Sequence, residues 1–583
     1  MIKKLLKYVG EYKKYAVITP VFMIGEVVME ILIPLVMAEI IDNGIQGSGG
    51  INYTVKMGGL MVLMAFVSLF FGAAGGKTAA TASMGFARNL RNDLFDRVQD
   101  FSFSNVDKFS TGSLVTRLTT DVTNTQNAFM MLLRMGFRAP TMLIGATIMA
   151  VMINARLSLV FLVAIPVLGV ALYLIVSHAH PRFLKMLKQY DKLNAVVQEN
   201  LIGIRAVKAF VREDYEEKKF EENADAVRKA QKFAEKLVVL NMPIMQLCMY
   251  GSIVAVLWFG GNMVIGRTME IGQLSSFISY IAQILMSLMM LSMIFIVSII
   301  SYASIERITE VLDEVSDIKN PEDGTAEKLG NGSIEFRDVS FSYSGDKENL
   351  TLSHVNLAIE SGQTIGVIGG TGSAKTTLVQ LIPRLYDVTG GELLVGGRDV
   401  RSYRLEELRE QVAMVLQKNV LFSGTIRENL KWGNESATEE EIVAACKAAQ
   451  AHDFIMNFPD GYETDLGQGG VNVSGGQKQR LCIARALLKK PKIMILDDST
   501  SAVDTATDSQ IRAELRDKLR GTTTILIAQR ITSVCDADKI IVLDEGEING
   551  FGTHEELMKT NTIYREVYLS QQKGVDEYAK AGK

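Results

Sequence analysis

Thr364-Ile365-Gly366-Val367-Ile368 runs straight into Gly369-Gly370-Thr371-Gly372-Ser373-Ala374-Lys375-Thr376-Thr377, and this stretch decides the fold of the second half of the chain. The first five residues are a short apolar run, as expected of a buried strand. The glycines allow a tight loop, and an apolar-periodic helix follows. Strand, glycine-rich loop and helix in that order make a phosphate-binding loop. Backbone N–H groups at a helix start cradle the phosphates. Lys375 is expected to reach the β and γ phosphates, and the Thr376 hydroxyl to ligate Mg²⁺. The strict pattern fails at Ala374, where glycine is expected.

A matching carboxylate lies downstream. Lys492-Ile493-Met494-Ile495-Leu496-Asp497 has four apolar residues ending in Asp, the pattern of a central parallel strand delivering Asp497 to Mg²⁺. Alone this is a weak signal, because buried strands often end in Asp. Paired with the loop it is strong. Between the two lies Asn472-Val473-Ser474-Gly475-Gly476-Gln477-Lys478-Gln479-Arg480, which opens a second helix suited to phosphate at its N-terminus. One domain has little use for two such sites on one γ-phosphate. Two domains facing each other, each lending one site to the other's nucleotide, resolve the duplication.

At this point the second half resembles the nucleotide-binding domain of an ATP-binding-cassette transporter. The whole chain resembles a half-transporter of the multidrug exporter type over nearly its full length. The resemblance implies an α-helical membrane domain, with six transmembrane helices and long cytoplasmic extensions, fused to an α/β P-loop domain. It implies ATP and Mg²⁺ as ligands. It assigns adenine stacking to Tyr343, in Phe341-Ser342-Tyr343, and Mg²⁺ sensing to Gln417, beside Thr376 and Asp497. Ser474, Gly475, Gly476 and Gln477 match the signature segment, which serves the partner's ATP. Ser501-Ala502-Val503-Asp504 matches the loop that communicates across the dimer. Phe103 to Thr111 and Arg212 to Phe220 resemble the coupling segments.

Four positions depart from the family pattern. Asp498 stands where the catalytic base is Glu, Gln529 where the switch residue is His, Ala374 where the loop has Gly, and Gln468 where exporters usually carry Glu. Asp is one methylene shorter than Glu, so its carboxylate falls about 1.5 Å back from an attacking water. An amide hydrogen-bonds but takes no proton near neutral pH. Asp498 and Gln529 strike the same chemical step, so a hydrolytically weak site is expected in this chain. A homodimer would then own two weak sites. The expected partner is therefore a second, homologous half-transporter with Glu and His at these positions. Two rivals stay open: a homodimeric exporter that hydrolyses slowly with Asp498 as base, and an ATP-gated channel or regulator that does not pump.

The remaining sequence agrees with a membrane half. The chain has 583 residues, 48% of them hydrophobic, with 61 Lys+Arg against 65 Asp+Glu. That balance excludes a basic nucleic-acid binder held by bulk charge. Four scattered cysteines form neither a disulfide framework nor a zinc site. Six apolar runs near 16–42, 56–76, 130–153, 157–178, 239–265 and 273–300 are long enough to cross a bilayer. No cleavable signal peptide is visible, and residues 1–8 form a short basic amphipathic segment. Lys and Arg crowd the connections 86–120 and 179–236 and are absent from 43–54. By the positive-inside rule both termini, both long connections and the ATP domain are cytoplasmic, in a bacterial-type inner membrane. The long connections keep helical periodicity without Gly or Pro clusters, so the membrane helices are expected to continue into the cytosol. The expected divisions are a membrane domain at 1–320, a linker at 321–332, the ATP domain at 333–573 and a polar tail at 574–583.

Glu26 and Glu30 lie one helical turn apart on the first run, and Arg134 and Arg138 similarly on the third. Charges inside a membrane usually face partners or water. Two readings stand: a substrate or proton site in a central cavity, or structural ion pairs between packed helices. Met242, Met245, Met286, Met289, Met290 and Met293 read as packing or as an adaptable wall for an amphipathic cargo.

Overall fold

The computed structural model describes residues 1–321, 329–498 and 505–581. The expected communication loop from Ser501 to Asp504 lies outside the described residues. The chain divides into two compact units, Met1–Asp100 with Ser110–Glu314, and Phe101–Phe109 with Val315–Lys583.

Among the described residues of the first unit, six helices are long and apolar enough to cross a membrane: Lys3–Ile45, Gly50–Gln99, Thr111–Ile153, Leu159–Ala209, Glu213–Ile265 and Ile271–Asp313. The second and fourth have 50 and 51 residues. At 1.5 Å per residue each spans about 75 Å, against a hydrocarbon core of about 30 Å. These helices therefore continue well beyond the apolar runs.

The packing around Pro34 shows how the first and sixth helices find their register. Pro34 sits inside the helix Lys13–Glu39 and has no N–H, so the Glu30 carbonyl loses its usual donor. The sixth helix answers. Gln283 Nε2 donates to Glu30 O at 3.2 Å, the Tyr280 hydroxyl to Ile31 O at 2.8 Å, and the Ser276 hydroxyl to Pro34 O at 2.5 Å. A freed backbone acceptor is costly in lipid, so neighbouring side chains that satisfy it also fix where the helix lies. Val27, Ile31, Phe277, Ile281 and Ile284 form the buried apolar seam around this polar spine.

Among its described residues the second unit holds two sheets. One has four strands in the order β2-β1-β4-β5, with β1 Ile334–Phe341, β2 Leu352–Ile359, β4 Gly390–Val395 and β5 Arg398–Asp399. Its paired strands are antiparallel. The other has the order β10-β9-β3-β8-β7-β6. Its strands are β3 Thr364–Gly369, β6 Val412–Val415, β7 Ile493–Asp497, β8 Thr523–Ile527, β9 Lys539–Asp544 and β10 Glu547–Gly552. Only the β9–β10 pair in it is antiparallel. Every residue of β7 is buried, as a strand covered on both faces requires.

One placement differs from the sequence expectation. The helix Phe103–Phe109 belongs to the second unit, because the Ser102 and Ser104 hydroxyls donate to Asp317 at 2.5 and 2.6 Å and the Tyr386 hydroxyl donates to Asp107 at 2.8 Å. The segment expected as a polar tail, 574–583, continues the helix Thr562–Ala581 as far as Ala581.

Candidate functional site

Parallel strands of an open α/β sheet present their carboxyl ends along one edge, and ligands bind in the crevice there. Here β3, β8 and β7 are neighbours. Their carboxyl ends bring the glycine-rich loop, Gln529 and the Asp497-Asp498 pair together. Gly369, Gly370, Thr371, Gly372, Ser373, Ala374, Lys375, Thr376, Thr377, Gln417, Asp497, Asp498 and Gln529 all line one cleft of about 540 Å³. The cleft also includes Thr351, which carries no sequence signal.

Backbone geometry explains the small residues. A Cβ at Gly369 would stand 2.2 Å from the Leu543 carbonyl oxygen, so only glycine fits under the loop. Ala374 adopts φ 68°, the left-handed region that glycine tolerates and alanine does not favour. Ala374→Gly is therefore expected to stabilise the ATP domain by about 1 kcal/mol. Its thermal midpoint should rise, and a lower midpoint would show that the alanine methyl matters more than the strain.

The charged groups sit close together. Lys375 Nζ donates to Gly369 O at 2.9 Å and to Gly370 O at 2.7 Å. Burial holds its ammonium below the usual lysine range, with Asp497 and Asp498 pulling the other way. The Thr376 hydroxyl donates to Asp497 Oδ1 at 3.2 Å, while Asp497 Oδ2 is buried with no hydrogen-bond partner among the described residues. Burial pushes the Asp497 carboxyl up, and neighbouring Asp498 pushes the same way. A buried carboxylate oxygen beside a hydroxyl is a donor set that suits a hard divalent cation.

Asp498 is fixed on every side. It sits at φ 47°, its N–H donates to Ile527 O at 3.1 Å, and its carboxylate accepts from Gln529 Nε2 at 2.7 Å. Tyr343 is half exposed beside the loop, its hydroxyl 3.0 Å from the Thr377 hydroxyl. Its ring stands edge-on to Phe341 and Tyr386, at 4.9 and 5.2 Å. Tyr386 in turn meets Phe103 at 5.9 Å and bonds Asp107. The tyrosine beside the loop thus joins the helix Phe103–Phe109 through one ring, which the sequence reading missed.

Ser474, Gly475, Gly476 and Gln477 do not line this cleft. They start the helix Gly475–Leu488, where Ser474 and Gln477 cap one another: Ser474 N–H donates to Gln477 Oε1 at 2.8 Å and Gln477 N–H to Ser474 Oγ at 3.3 Å. The cap satisfies the Gln477 N–H, and the other N–H groups of a first helical turn have no acceptor within the helix.

In the first unit Arg138 pairs with both acids, Glu26 Oε1 at 2.6 Å and Glu30 Oε1 at 2.7 Å. Gly72 makes the room, since a Cβ there would stand 2.9 Å from Glu26 Oε1. Arg134 makes neither pair, and its Nε is buried with no hydrogen-bond partner among the described residues. Removing the shared cation strands two carboxylates. Arg138→Met is expected to cost about 3 kcal/mol and Arg134→Met far less. Unfolding midpoints of the two variants in detergent check this, and equal losses would count against the pairing.

A set of membrane-spanning helices fused to a P-loop domain with this cleft defines an ATP-linked membrane transporter. Two family models match the chain: the ABC transporter transmembrane region over residues 17–288 and the ABC transporter over 352–501. The uncharacterized ABC transporter ATP-binding protein YfiB of Bacillus subtilis is 37% identical over 570 residues, covering 98% of each chain. The putative multidrug export ATP-binding/permease protein YgaD of the same organism is 34% identical, covering 98% of this chain and 99% of that one. A bacterial Atm1-family ABC exporter, solved with ATP bound, superposes with a TM-score of 0.83 at 24% identity, over 95% of this chain and 99% of that one; the likeness is one of fold. The chain belongs to the ABC transporter family, as an integral membrane protein carrying an ABC ATPase domain.

Proposed function

We propose that this chain is one half of a heterodimeric ATP-driven exporter that moves amphipathic small molecules, lipids or peptides out of the cytoplasm. Its own ATP site is hydrolytically weak, and its signature segment completes the partner's working site. The export direction and the multidrug class of cargo are supported by the relative YgaD, a putative multidrug export protein, and by the exporter fold. Both termini and the ATP domain face the cytoplasm of a bacterial-type inner membrane.

The observation that supports the weak site is the Asp498–Gln529 pair. The carboxylate at the base position is the shorter acid, and an amide already donates to it at 2.7 Å. Gln529 offers no proton acceptor to relay, and misplacement of about 1 Å can cost roughly 10²-fold. Lys375 neutralises phosphate charge, Tyr343 presents a ring to the adenine, and the loop N–H groups hold the phosphates. Thr376, Asp497 and Gln417 would hold Mg²⁺, which when bound neutralises developing phosphate charge.

Purification from native membranes tests the proposal. A second, similar half carrying Glu and His at these positions should co-purify. A chain that purifies alone with full cargo-stimulated ATPase in liposomes overturns the heterodimer in favour of a homodimer. ATP binding without cargo-stimulated ATPase favours a gated channel.

A further inference from the structure

Ser474 to Gln477 and Asp498 serve different nucleotides in the arrangement proposed above, yet one side chain joins them. Gln479 lies in the helix Gly475–Leu488, two residues past the signature segment, and is 1% exposed. Its Nε2 donates to the Asp498 backbone carbonyl at 3.2 Å. Its Oε1 is buried with no hydrogen-bond partner among the described residues. Burying an amide costs folding free energy that its hydrogen bonds must offset. Packing alone would be better served by an apolar side chain of the same length.

Asp498 gives the bond its purpose. At φ 47° its backbone is in a region that a residue with a Cβ seldom holds without help. Its bonds among the described residues include three that hold it: Ile527 O accepts from its N–H, Gln529 donates to its carboxylate, and Gln479 donates to its carbonyl. The Gln479 bond anchors the carbonyl end of Asp498 as Ile527 O anchors its N–H end, and together they hold the Cα from which the carboxylate projects.

We propose that Gln479 is a positioning residue that ties the aim of Asp498, in this chain's own site, to the start of the helix that meets the partner's nucleotide. The proposal rests on the dimer arrangement, in which the signature segment serves the other site. The helix Gly475–Leu488 moves as a unit, because its backbone bonds are internal. A displacement of Ser474 to Gln477 onto the partner's phosphates is carried to Gln479 and from there to the Asp498 peptide. By linkage, a change at Asp498 is felt at the signature end as well.

A double-mutant cycle on the full-length assembled transporter in liposomes tests this, read as ATPase kcat and KM separately. Gln479→Met keeps the length and removes the donor, and Gln479→Glu keeps the shape with a group that accepts only. Each should lower kcat about twofold, no more than Asp498→Asn does alone, with KM unchanged. Adding Asp498→Asn to either should lower kcat no further, because both act through one peptide. Effects that multiply overturn the proposal, as does a Gln479→Met variant with wild-type kcat. Should Gln479→Met unfold, Gln479→Glu carries the same cycle. Gly476→Asp separates this from the dimer reading. If that variant keeps its ATPase, the signature segment serves no partner site and both fall. If it loses ATPase while the cycle is additive, only the role of Gln479 falls.

Discussion

Lys375→Ala is expected to weaken ATP binding at this chain's own site by about 10²-fold or more and to leave the domain folded. Lys375 is the only basic side chain among the described residues lining the cleft, where it faces Asp497 and Asp498. Without it the lining presents two carboxylates and no cation to a triphosphate. Loss of one charge-assisted partner of a phosphate costs about 3 kcal/mol, or two decades of affinity. Folding should not suffer, because burial already disfavours this ammonium. Lys375→Arg should recover part of the loss, since a guanidinium restores the charge but not the compact head that fits between the Gly369 and Gly370 carbonyls. Labelled-ATP binding and a thermal midpoint on the same samples check both halves. Unchanged occupancy in Lys375→Ala would refute the role, and a collapsed midpoint would make it structural instead.

How much of this was legible in the sequence varies with how local each signal is. The loop from Gly369 to Thr377 and the strand ending at Asp497 are short patterns whose chemistry forces their residue types, and the sheet order places them side by side. The helix start at Ser474 was equally legible, while the reciprocal cap between Ser474 and Gln477 emerged only from the structure. The membrane spans followed from length and apolarity alone. What escaped depends on tertiary contact. Nothing in the sequence near residue 103 says that Ser102 and Ser104 bond Asp317, more than two hundred positions on. Arg134 and Arg138 looked interchangeable, since they lie on one helix face. Only the rotation of that helix against Glu26, Glu30 and Gly72 separates them. Gln479 looked like one more polar residue after the signature, and its burial emerges only from packing.

In the proposed heterodimer, asymmetry of the two ATP sites should show most plainly when acids and signature residues are changed side by side. Closure of the dimer needs nucleotide in both sites, but chemistry needs a carboxylate at full reach in only one. In this chain Asp498 is short and already accepts from Gln529, so Asp498→Asn removes little and should lower export modestly. The partner's Glu→Gln should abolish it. Gly476→Asp in this chain should be as severe, because it sets a negative charge at the start of the helix Gly475–Leu488, where the proposed arrangement puts the partner's γ-phosphate. Loss of a preorganised phosphate donor set costs about 10²–10³-fold in rate. Ser474→Ala should be severe too, since it also breaks the reciprocal cap with Gln477. ATPase and export measured together for each variant give the ranking: Asp498→Asn mild, the other three severe. An Asp498→Asn variant as silent as the partner's Glu→Gln makes the two sites equivalent. The short acid would then be a working base, and the slow homodimer would be the better account of this chain.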